Sequence, residues 1–530
     1  MHPDDLPTTL GHMLRRAAEL WPDRPAVVFE GTGISFRAFD EQVDVWARAM
    51  IAAGIRRGEN IAVLAPNRPE WLLTSFAAAR IGAVVTALNT WHKSEELASA
   101  IDRSRSVAVF AWDRLRRQDF VQMLDGILPE RRTVRLVVGL AERAPEGATA
   151  LARFLEAGRQ VSEDELRSRE KQVRGEDDLF ILFTSGSTAQ PKGVVTRHDH
   201  TVRNDYWIGE RQGLNESDAL WLVVPLFYGF AAANALAACW THGTALILEE
   251  SFEPQQALDT MERTQATVYY GLGNMTRALV AAQRERPRRL ALRKGLTGYS
   301  EEDKRLAIED LGVSELCGIY GLTECHGLCA MSSASDEATL RLAIDGYALP
   351  GWEMRVVDPV SEDEVEPGAV GHLLVRGMLS RGYLDQPEET AAVFTPEGFF
   401  RTGDLVSIDE RGHLHYRSRL KDLIKVGGVS VSPREVESVV QAHPAVRQAF
   451  VVGVPDTAKG EAVVAIVERF PGKPVEADEI VAFVRERSAL YNAPSRVVFL
   501  SDDEIPKLAS GKADLRSLRD LVLEQAEVAS

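Results

Sequence analysis

Residues 179–193 read LFILFTSGSTAQPKG, an apolar run followed by hydroxyl-bearing and small residues. The apolar run predicts a buried strand. The backbone N–H groups and hydroxyls of the next residues are suited to close around phosphate oxygens, and Lys192 supplies a positive charge. The stretch is not a Walker A loop, because Pro191 and Gly193 stand where that loop needs glycine before its lysine and Ser or Thr after it. A plain Ser/Thr/Gly turn remains the alternative for this stretch taken alone.

On either side of this stretch, strand and helix patterns alternate, which is typical of parallel α/β layers. The predicted elements are strands at 60–65, 82–85, 107–110 and 134–138, and helices at 69–81 and 95–104. Residues 141–178 turn polar and are expected to form a surface excursion rather than core. Beyond about Arg417 the pattern changes to a compact α+β arrangement, with strands expected at 449–454, 462–467 and 497–500 and helices at 434–441 and 478–487. We therefore predict an α/β protein with a large multi-layer domain at 1–418 and a smaller α+β domain at 419–530.

The composition and net charge of the chain argue against nucleic acid as a partner. The chain has 530 residues, 45% of them hydrophobic and 26% charged, with a formal net charge of −17. Such an acidic surface repels nucleic acid. An acidic start without an apolar segment behind it, and four cysteines without a disulfide pattern, favour a cytoplasmic protein.

Four further motifs follow the Ser/Thr/Gly stretch. They are Ile319-Tyr320-Gly321-Leu322-Thr323-Glu324, Phe400-Arg401-Thr402-Gly403-Asp404-Leu405, Arg419-Leu420-Lys421-Asp422-Leu423-Ile424-Lys425, and Pro506-Lys507-Leu508-Ala509-Ser510-Gly511-Lys512. Chemically, Glu324 suits a divalent cation and Asp404 suits ribose hydroxyls. Each also has a simpler structural explanation: the carboxylates as helix caps, the lysines as solvated surface. Five such elements in this order are improbable by chance.

With these motifs, the chain resembles the adenylate-forming superfamily of acyl-CoA synthetases, nonribosomal adenylation domains and beetle luciferases. The resemblance runs from Asn67-Arg68-Pro69-Glu70-Trp71 to Lys512. It implies a large N-terminal domain and a small mobile C-terminal one. It also implies use of ATP, Mg²⁺ and coenzyme A.

The resemblance assigns a role to each matching residue. It places the ATP phosphates at Thr184, Ser185, Gly186, Ser187, Thr188 and Lys192, the adenine at Gly298, Tyr299, Ser300, Tyr320 and Gly321, and the ribose at Asp404 and Arg419. It implies that Thr323 touches the α-phosphate, that Glu324 holds Mg²⁺, and that Lys512 bridges the carboxylate and the α-phosphate. Lys421 resembles the hinge residue, and Lys425 and Gly428 resemble residues that serve thiol transfer.

Three positions depart from the family pattern. Ala189 stands where the family usually has glycine, Tyr228 where it commonly has histidine, and Tyr299 in a loop that is usually smaller. None of the three removes a charged catalytic group. They leave open an enzyme that performs mainly the thiol-transfer half-reaction.

The acyl group is expected among Trp207, Tyr228, Phe230, Tyr270, Gly271, His326 and Gly327. Aromatic residues and glycines favour a hydrophobic acid, although core packing explains most of these aromatics equally well. We predict an AMP-forming acyl-CoA ligase acting on a small-molecule carboxylic acid. A stand-alone enzyme that loads an acyl carrier protein is the main alternative; a luciferase-like oxidase and a non-catalytic relative are more remote.

A basic cluster at Arg284, Arg286, Arg288, Arg289, Arg293 and Lys294 fits a CoA nucleotide or an acidic carrier protein. A solvated helix end is the simpler explanation of the same residues.

Overall fold

A computed structural model describes residues 1–184, 191–297, 300–427, 429–456, 460–507 and 513–528. The chain forms two compact units, one of residues 1–354 and 375–400 and the other of residues 355–374 and 401–530. The predicted domain boundary at 418/419 remains a prediction.

The first unit holds nineteen strands among its described residues. They are β1 Pro25–Phe29, β2 Thr32–Ser35, β3 Asn60–Leu64, β4 Val84–Ala87, β5 Ala108–Ala111, β6 Arg114–Leu115, β7 Gln118–Asp119, β8 Leu136–Gly139, β9 Thr149–Ala150, β10 Asp178–Thr184, β11 Lys192–Arg197, β12 Ala219–Leu222, β13 Ala245–Leu248, β14 Val268–Tyr270, β15 Lys294–Leu296, β16 Glu315–Cys317, β17 Ile319–Tyr320, β18 Ala330–Met331 and β19 Tyr347–Ala348.

The helices of this unit cover the faces of the sheets. They are α1 Leu10–Leu20, α2 Phe36–Ala52, α3 Pro69–Ile81, α4 Ser94–Arg103, α5 Phe120–Ile127, α6 Leu151–Ala157, α7 Glu163–Glu170, α8 His198–Gln212, α9 Leu236–Trp240, α10 Pro254–Thr264, α11 Gly273–Glu285, α12 Glu301–Glu309, α13 Ala338–Ala343 and α14 Pro387–Val393. A π-helical turn, Ala231–Ala235, leads into α9.

Two seven-stranded sheets dominate the first unit. The first has the order β16-β15-β14-β12-β13-β1-β2 and the second β11-β10-β4-β3-β5-β8-β9. Each is parallel except for an antiparallel edge strand, β2 in the first sheet and β11 in the second. Inner strands such as β4 and β13 are fully buried, which is typical of a parallel sheet covered by helices on both faces. This confirms the predicted α/β fold class.

The second unit is built around two smaller sheets, of order β20-β21-β22-β23 and β25-β24-β27-β26, with β28 pairing β27. Its elements, including strand ends shared with the first unit, are β20 Glu353–Val357, β21 Val370–Arg376, β22 Phe400–Ile408, β23 Leu414–Arg419, β24 Ile424–Val426, β25 Val429–Val431, β26 Val446–Asp456, β27 Gly460–Arg469, β28 Arg496–Phe499, α15 Pro433–Gln441, α16 Ala477–Arg487 and α17 Leu515–Val528. Val436, Val451 and Ile480 lie in its core. The described residues include no helix with the length and apolar character needed to cross a bilayer.

The polar stretch at 141–178 lies mostly at the surface, as expected from its composition. It nevertheless folds into β9, α6 and α7, and Phe154, Leu166 and Glu170 are buried. The carboxylate of Glu170 accepts two hydrogen bonds from Arg15, each 3.0 Å long. This glutamate belongs to a buried ionic network that the sequence analysis did not predict.

Arg80 on α3 lies at the centre of that network, with a fully buried side chain. Its guanidinium is paired with Asp40 and Asp44 on α2, and Glu170 lies 3.5 Å from its Nε. Arg15 on α1 contacts the same three carboxylates. The network therefore ties α1, α2, α3 and α7 together.

Replacing Arg80 by methionine should lower the free energy of unfolding by about 3 kcal/mol, because it leaves buried carboxylates without their central cation. Urea unfolding of the two proteins measures the change. Arg16→Met is the control: it removes an exposed pair with Glu19 of 2.9 Å and should cost less than about 1 kcal/mol. Equal losses in the two variants would contradict a central role for Arg80.

Candidate active site

The predicted phosphate-binding stretch connects β10 to β11. Thr184 at the end of β10 pairs with Lys192 at the start of β11, and its hydroxyl donates to the Lys192 carbonyl at 3.4 Å. Ser185, Gly186, Ser187 and Thr188, together with Ala189, lie outside the described residues. Since β10 runs parallel to β4, the connection starts at the carboxyl end of a parallel strand, where α/β proteins commonly bind ligands.

Tyr383 joins two residues that the sequence analysis singled out separately. The Lys192 Nζ lies 4.3 Å from the centre of the Tyr383 ring, and the Tyr383 hydroxyl donates to Glu324 Oε1 at 2.9 Å. The aromatic face attracts the ammonium, while the hydroxyl orients the carboxylate. We call these three residues the Lys–Tyr–Glu row.

Backbone pairing holds this row in place. Leu384 N–H donates to the Gly193 carbonyl at 2.8 Å, and Val194 forms a bridge with Tyr383. Ser380 N–H donates to the Glu324 carbonyl, also at 2.8 Å. The segment 380–384 thus lies along β11 and reaches the turn that carries Glu324.

Sequence reasoning missed Tyr383, which stands 59 residues from its partner Glu324. A local signal was present at Gly382, which has φ +106° and whose added Cβ would lie 2.2 Å from Thr390 Cγ2. A glycine required by crowding, followed by an aromatic residue, indicates a fixed loop that presents its side chain.

Glu324 lies in a short turn, Thr323–Cys325, and His326 directly follows this turn. His326 is fully buried, its Nδ1 donates to the Met378 carbonyl at 2.9 Å, and its Nε2 accepts from Arg197 N–H at 3.0 Å. Burial lowers the pKa of His326 to about 3, so the ring is neutral. With both nitrogens bonded to backbone, the ring positions the turn; its predicted contact with the acyl group remains a prediction.

Close backbone approaches fix the neighbouring residues. A Cβ at Gly321 would lie 2.0 Å from the Gly327 carbonyl oxygen, and one at Gly229 would lie 3.2 Å from Thr323 Oγ1. Gly327 itself has φ +101°, which favours glycine. These positions therefore bring the loops after β12 and β17 together with no room for side chains.

The predicted adenine residues are only partly described. Tyr320 lies in β17 and is 1% exposed. Ser300 caps α12, its hydroxyl accepting from Asp303 N–H at 3.4 Å. Gly298 and Tyr299 lie outside the described residues.

The predicted acyl residues form two aromatic groups. In one, Phe230 stacks on Tyr270 with ring centres 5.2 Å apart, and the Tyr270 hydroxyl accepts from Gln212 at 2.6 Å. In the other, Tyr228 lies 5.6 Å from Trp91, a residue that the sequence analysis did not single out. Burial raises the pKa of Tyr228 to about 12, so its phenol stays protonated.

The remaining acyl residues border these groups. Trp207 is half-buried and packs edge-on against Tyr206 at 5.2 Å. Gly271 follows β14, and a Cβ there would lie 1.8 Å from the Tyr269 hydroxyl. The site thus combines half-buried aromatic faces with a glycine whose replacement would force a shift.

Asn67 anchors the loop that carries Tyr228. Its side-chain amide donates to the Val224 carbonyl at 3.0 Å, and its oxygen accepts from Leu226 N–H at 2.9 Å. Asn67 follows β3 of the second sheet, whereas the loop follows β12 of the first. One amide therefore joins the carboxyl edges of both sheets.

Within the second unit, the two predicted ribose residues form an ion pair. Asp404 and Arg419 are partners across β22 and β23, with Oδ1 and Nε 2.8 Å apart. The Asp404 side chain is 2% exposed and that of Arg419 is 44% exposed. Asp404 is thus a fixed carboxylate, held beside a more accessible guanidinium.

Two of the three lysines that the sequence analysis singled out in this unit belong to the described residues. Lys421, in the turn Leu420–Asp422, and Lys425, in β24, are both exposed. Backbone N–H of Lys425 donates to Glu461 Oε2 at 2.8 Å. Gly428 and Lys512 lie outside the described residues.

Most residues of the basic cluster at 284–294 are paired with carboxylates of the chain itself. Arg284 pairs with Asp310, Arg286 and Arg288 with Asp259, and Arg293 and Lys294 with Asp218. This favours the simpler explanation, a structural set of ion pairs.

Comparison with known proteins shows the family to which this chain belongs. The family profile "AMP-binding enzyme" matches residues 14–384. The chain belongs to this family. A second profile, "AMP-binding enzyme C-terminal domain", matches residues 435–512. The chain is therefore an AMP-forming acyl-CoA ligase, as predicted: it joins a carboxylic acid to CoA through an acyl-adenylate made from ATP.

Full-length relatives and solved structures agree with this. The putative acyl-CoA synthetase YngI of Bacillus subtilis (strain 168) is 31% identical over 99% of this chain and 98% of its own. The 3-[(3aS,4S,7aS)-7a-methyl-1,5-dioxo-octahydro-1H-inden-4-yl]propanoyl:CoA ligase of Mycobacterium tuberculosis is 30% identical over 97% of this chain and 98% of its own. The anthranilate CoA ligase AuaEII in complex with anthranoyl-AMP superimposes with a TM-score of 0.85 at 25% identity, covering 99% of this chain and 100% of that one. ATP-bound MatB from Rhodopseudomonas palustris gives 0.81 at 25% identity, covering 96% and 98%.

The hydrogen bond from Tyr383 to Glu324 predicts that Tyr383 contributes to the use of ATP by the ligase. Tyr383→Phe should lower kcat/KM for ATP about tenfold, because Glu324 loses a hydrogen bond worth roughly 1.5–3 kcal/mol to a charged group. Steady-state kinetics at saturating acid and CoA measure the change. Tyr347→Phe, which removes a comparable bond to Asp336 of 3.1 Å, is the control and should change kcat/KM less than twofold. Equal effects in the two variants would remove the special role of Tyr383.

Two buried histidines predict a pH dependence of stability. Burial lowers the pKa of His326 to about 3 and that of His198 to about 4. Both rings are neutral in the fold but take up protons below about pH 6.5 when unfolded, so stability is full above that pH and falls as pH decreases toward about 4. Each ring contributes at most about 1.4 kcal/mol per pH unit. Urea unfolding at pH 7, 6 and 5 should show a shallower loss in His326→Gln than in the parent, and no such change in the exposed control His2→Gln; an unchanged slope in His326→Gln would contradict the assignment.

Proposed function

We propose that this ligase activates a bulky hydrophobic carboxylic acid. The observation that carries the proposal is the set of aromatic side chains just beyond β12 and at the end of β14, two adjacent parallel strands. Tyr228 and Phe230 follow the first strand, and Tyr270 ends the second. A crevice beyond the carboxyl ends of parallel strands, lined by aromatic residues, favours an apolar ligand.

The activities for which relatives are named support the same class of acid. They include a medium-chain acyl-CoA ligase of Danio rerio, 29% identical over 98% of this chain and 89% of its own, and the M. tuberculosis ligase named for a bicyclic propanoyl group. The half-buried Trp207, Tyr228 and Phe230 offer apolar surface suited to a ring or a chain of this size.

For adenylation, we propose that Lys192 and the stretch Thr184–Thr188 hold the β- and γ-phosphates, Thr323 contacts the α-phosphate, and Asp404 and Arg419 bind the ribose. Gly298, Tyr299, Ser300, Tyr320 and Gly321 complete the nucleotide site. Lys512 neutralises the carboxylate and the α-phosphate as they approach. Since both reactants are anions, preorganised cations stabilise the charge that they bring together.

Glu324 fits a magnesium site shared with ATP. Mg²⁺ commonly takes only one or two carboxylates, together with phosphate oxygens, and the Tyr383 hydroxyl orients this carboxylate. When bound, Mg²⁺ supplies further positive charge to the phosphates. Lys192 and Tyr383 position the surrounding groups.

For the second half-reaction, we propose that Lys425 and Gly428 serve the transfer of the acyl group to the CoA thiol. Lys421 is the proposed hinge residue between domains 1–418 and 419–530. The basic cluster at 284–294 supports neither a CoA nucleotide nor a carrier protein, because it is largely paired with carboxylates of the chain itself.

Pyrophosphate release from Mg·ATP tests the function. With octanoate, benzoate or 3-cyclohexylpropanoate, at least one acid should stimulate release, and acyl-CoA should form only when CoA is added. Lys512→Ala should lower acid-dependent release by about 10²–10³, because it removes a charge aimed at the transition state.

The control is Lys507→Ala, which removes an exposed lysine of the same segment, paired with Asp502 at 2.7 Å. It should retain release within twofold. No acid-dependent release, combined with acyl-CoA formation from a supplied acyl-adenylate, would instead establish an enzyme specialised in thiol transfer.

A further inference from the structure

Two polar side chains behind the acyl residues lack hydrogen-bond partners within the described part of the chain. Asp205 on α8 and Asn234 in the π-helical turn are both 0% exposed. Neither carboxylate oxygen of Asp205, and neither the oxygen nor the nitrogen of the Asn234 amide, has a partner among the described residues. Buried polar groups are normally satisfied, so two such residues together require an explanation.

Both residues lie on elements that carry or contact the aromatic acyl groups. Gln212, two helical turns beyond Asp205 and on the same face of α8, donates to the Tyr270 hydroxyl at 2.6 Å. Tyr270 in turn stacks on Phe230.

Asn234 adjoins another of the predicted acyl residues. A Cβ added to Gly327 would lie 2.9 Å from Asn234 Cβ, so the amide adjoins the predicted acyl residue Gly327. The π-helical turn that carries Asn234 packs against α8, and it begins directly after Phe230. Single π-helical turns inside helices are frequent at functional sites.

The neighbouring residue on α8 shows that this helix can satisfy a buried polar side chain. Asn204 is also 0% exposed, yet its nitrogen donates to the Leu328 carbonyl and its oxygen accepts from Trp352 Nε1, each at 2.8 Å. Asn204 therefore serves the fold. Asp205, one position along, has no equivalent structural purpose.

The chemistry of the two residues indicates what they would bind. Burial raises the pKa of Asp205 well above its usual range and so favours the neutral carboxyl, which both donates and accepts a hydrogen bond. The Asn234 amide has the same dual capacity. A neutral oxygen, either carbonyl or hydroxyl, matches such a pair without bringing a charge into an apolar region.

We propose that Asp205 and Asn234 form a polar subsite of the acyl pocket that binds a carbonyl or hydroxyl group carried by the acid away from its carboxylate. This inference rests on the proposed function, and it narrows the substrate class from hydrophobic acids to hydrophobic acids with one distal oxygen. Asp205 and Asn234 would then be specificity residues, without a role in adenylation itself.

Matched acids test the inference. For the parent enzyme, kcat/KM should be at least tenfold higher for 3-(4-oxocyclohexyl)propanoate or 3-(4-hydroxycyclohexyl)propanoate than for 3-cyclohexylpropanoate, because a site built for hydrogen bonds rejects the analogue that lacks them. Asp205→Leu and Asn234→Leu should each lower that ratio by about tenfold or more, and Asp205→Asn should retain more of it. A parent ratio near one, or a ratio that neither leucine variant changes, would overturn the inference. Preference for 3-(4-aminocyclohexyl)propanoate would overturn it in favour of an ammonium ligand.

Thermal unfolding without substrate gives an independent result. Asp205→Leu should raise Tm, because it removes a buried group with no partner, whereas Asn204→Leu, the matched control on the same helix, should lower Tm. A lower Tm for Asp205→Leu would mean that Asp205 is a structural residue, and would overturn the inference. Absence of acyl-CoA with every acid, despite the expected Tm changes, would refute the proposed function instead.

Discussion

The backbone pairing between β11 and the segment 380–384 is the constraint on which the nucleotide side of this enzyme depends. Through it, the Tyr383 side chain contacts both Lys192 and Glu324, the residues proposed to hold the ATP phosphates and Mg²⁺. The ring faces the lysine ammonium and the hydroxyl donates to the glutamate, so each charged group has its own contact with Tyr383. His326 extends the same logic, since a neutral ring with both nitrogens bonded to backbone fixes the turn without adding charge.

Local patterns predicted much of the fold. The helix expected at 69–81 begins at Pro69 and ends at Ile81, because proline starts it and Gly82 ends it in a left-handed conformation. The polar stretch at 141–178 is mostly exposed, as predicted, but its buried Glu170 was missed, since composition cannot distinguish a solvated charge from one paired with a distant arginine. The chemical motifs identified Lys192, Glu324 and Asp404, because each motif is contiguous. Tyr383, Trp91 and Asp205 escaped, because their significance arises only from residues far along the chain.

The two halves of the site therefore differ in kind. On the nucleotide side, short motifs carry charge and glycine in fixed order, and the ligand is the same for the whole family. On the acyl side, isolated side chains from several elements meet, and nothing in their spacing identifies them. Tyr228 illustrates the difference: its departure from the family histidine is visible in the sequence, but its packing against Trp91 is not. Substrate preference depends on how distant side chains pack together, and the order of residues in the sequence carries little information about that packing.

Asn67 has a consequence for how such an enzyme diversifies. Because one amide from the second sheet holds the backbone of the loop after β12, the side chains of that loop can be exchanged without moving the main chain that presents them. Substitution of Tyr228 or Phe230 would therefore change the surface proposed to face the acid without displacing the residues proposed to hold ATP. A single buried side chain, Asn67, makes the two requirements separable.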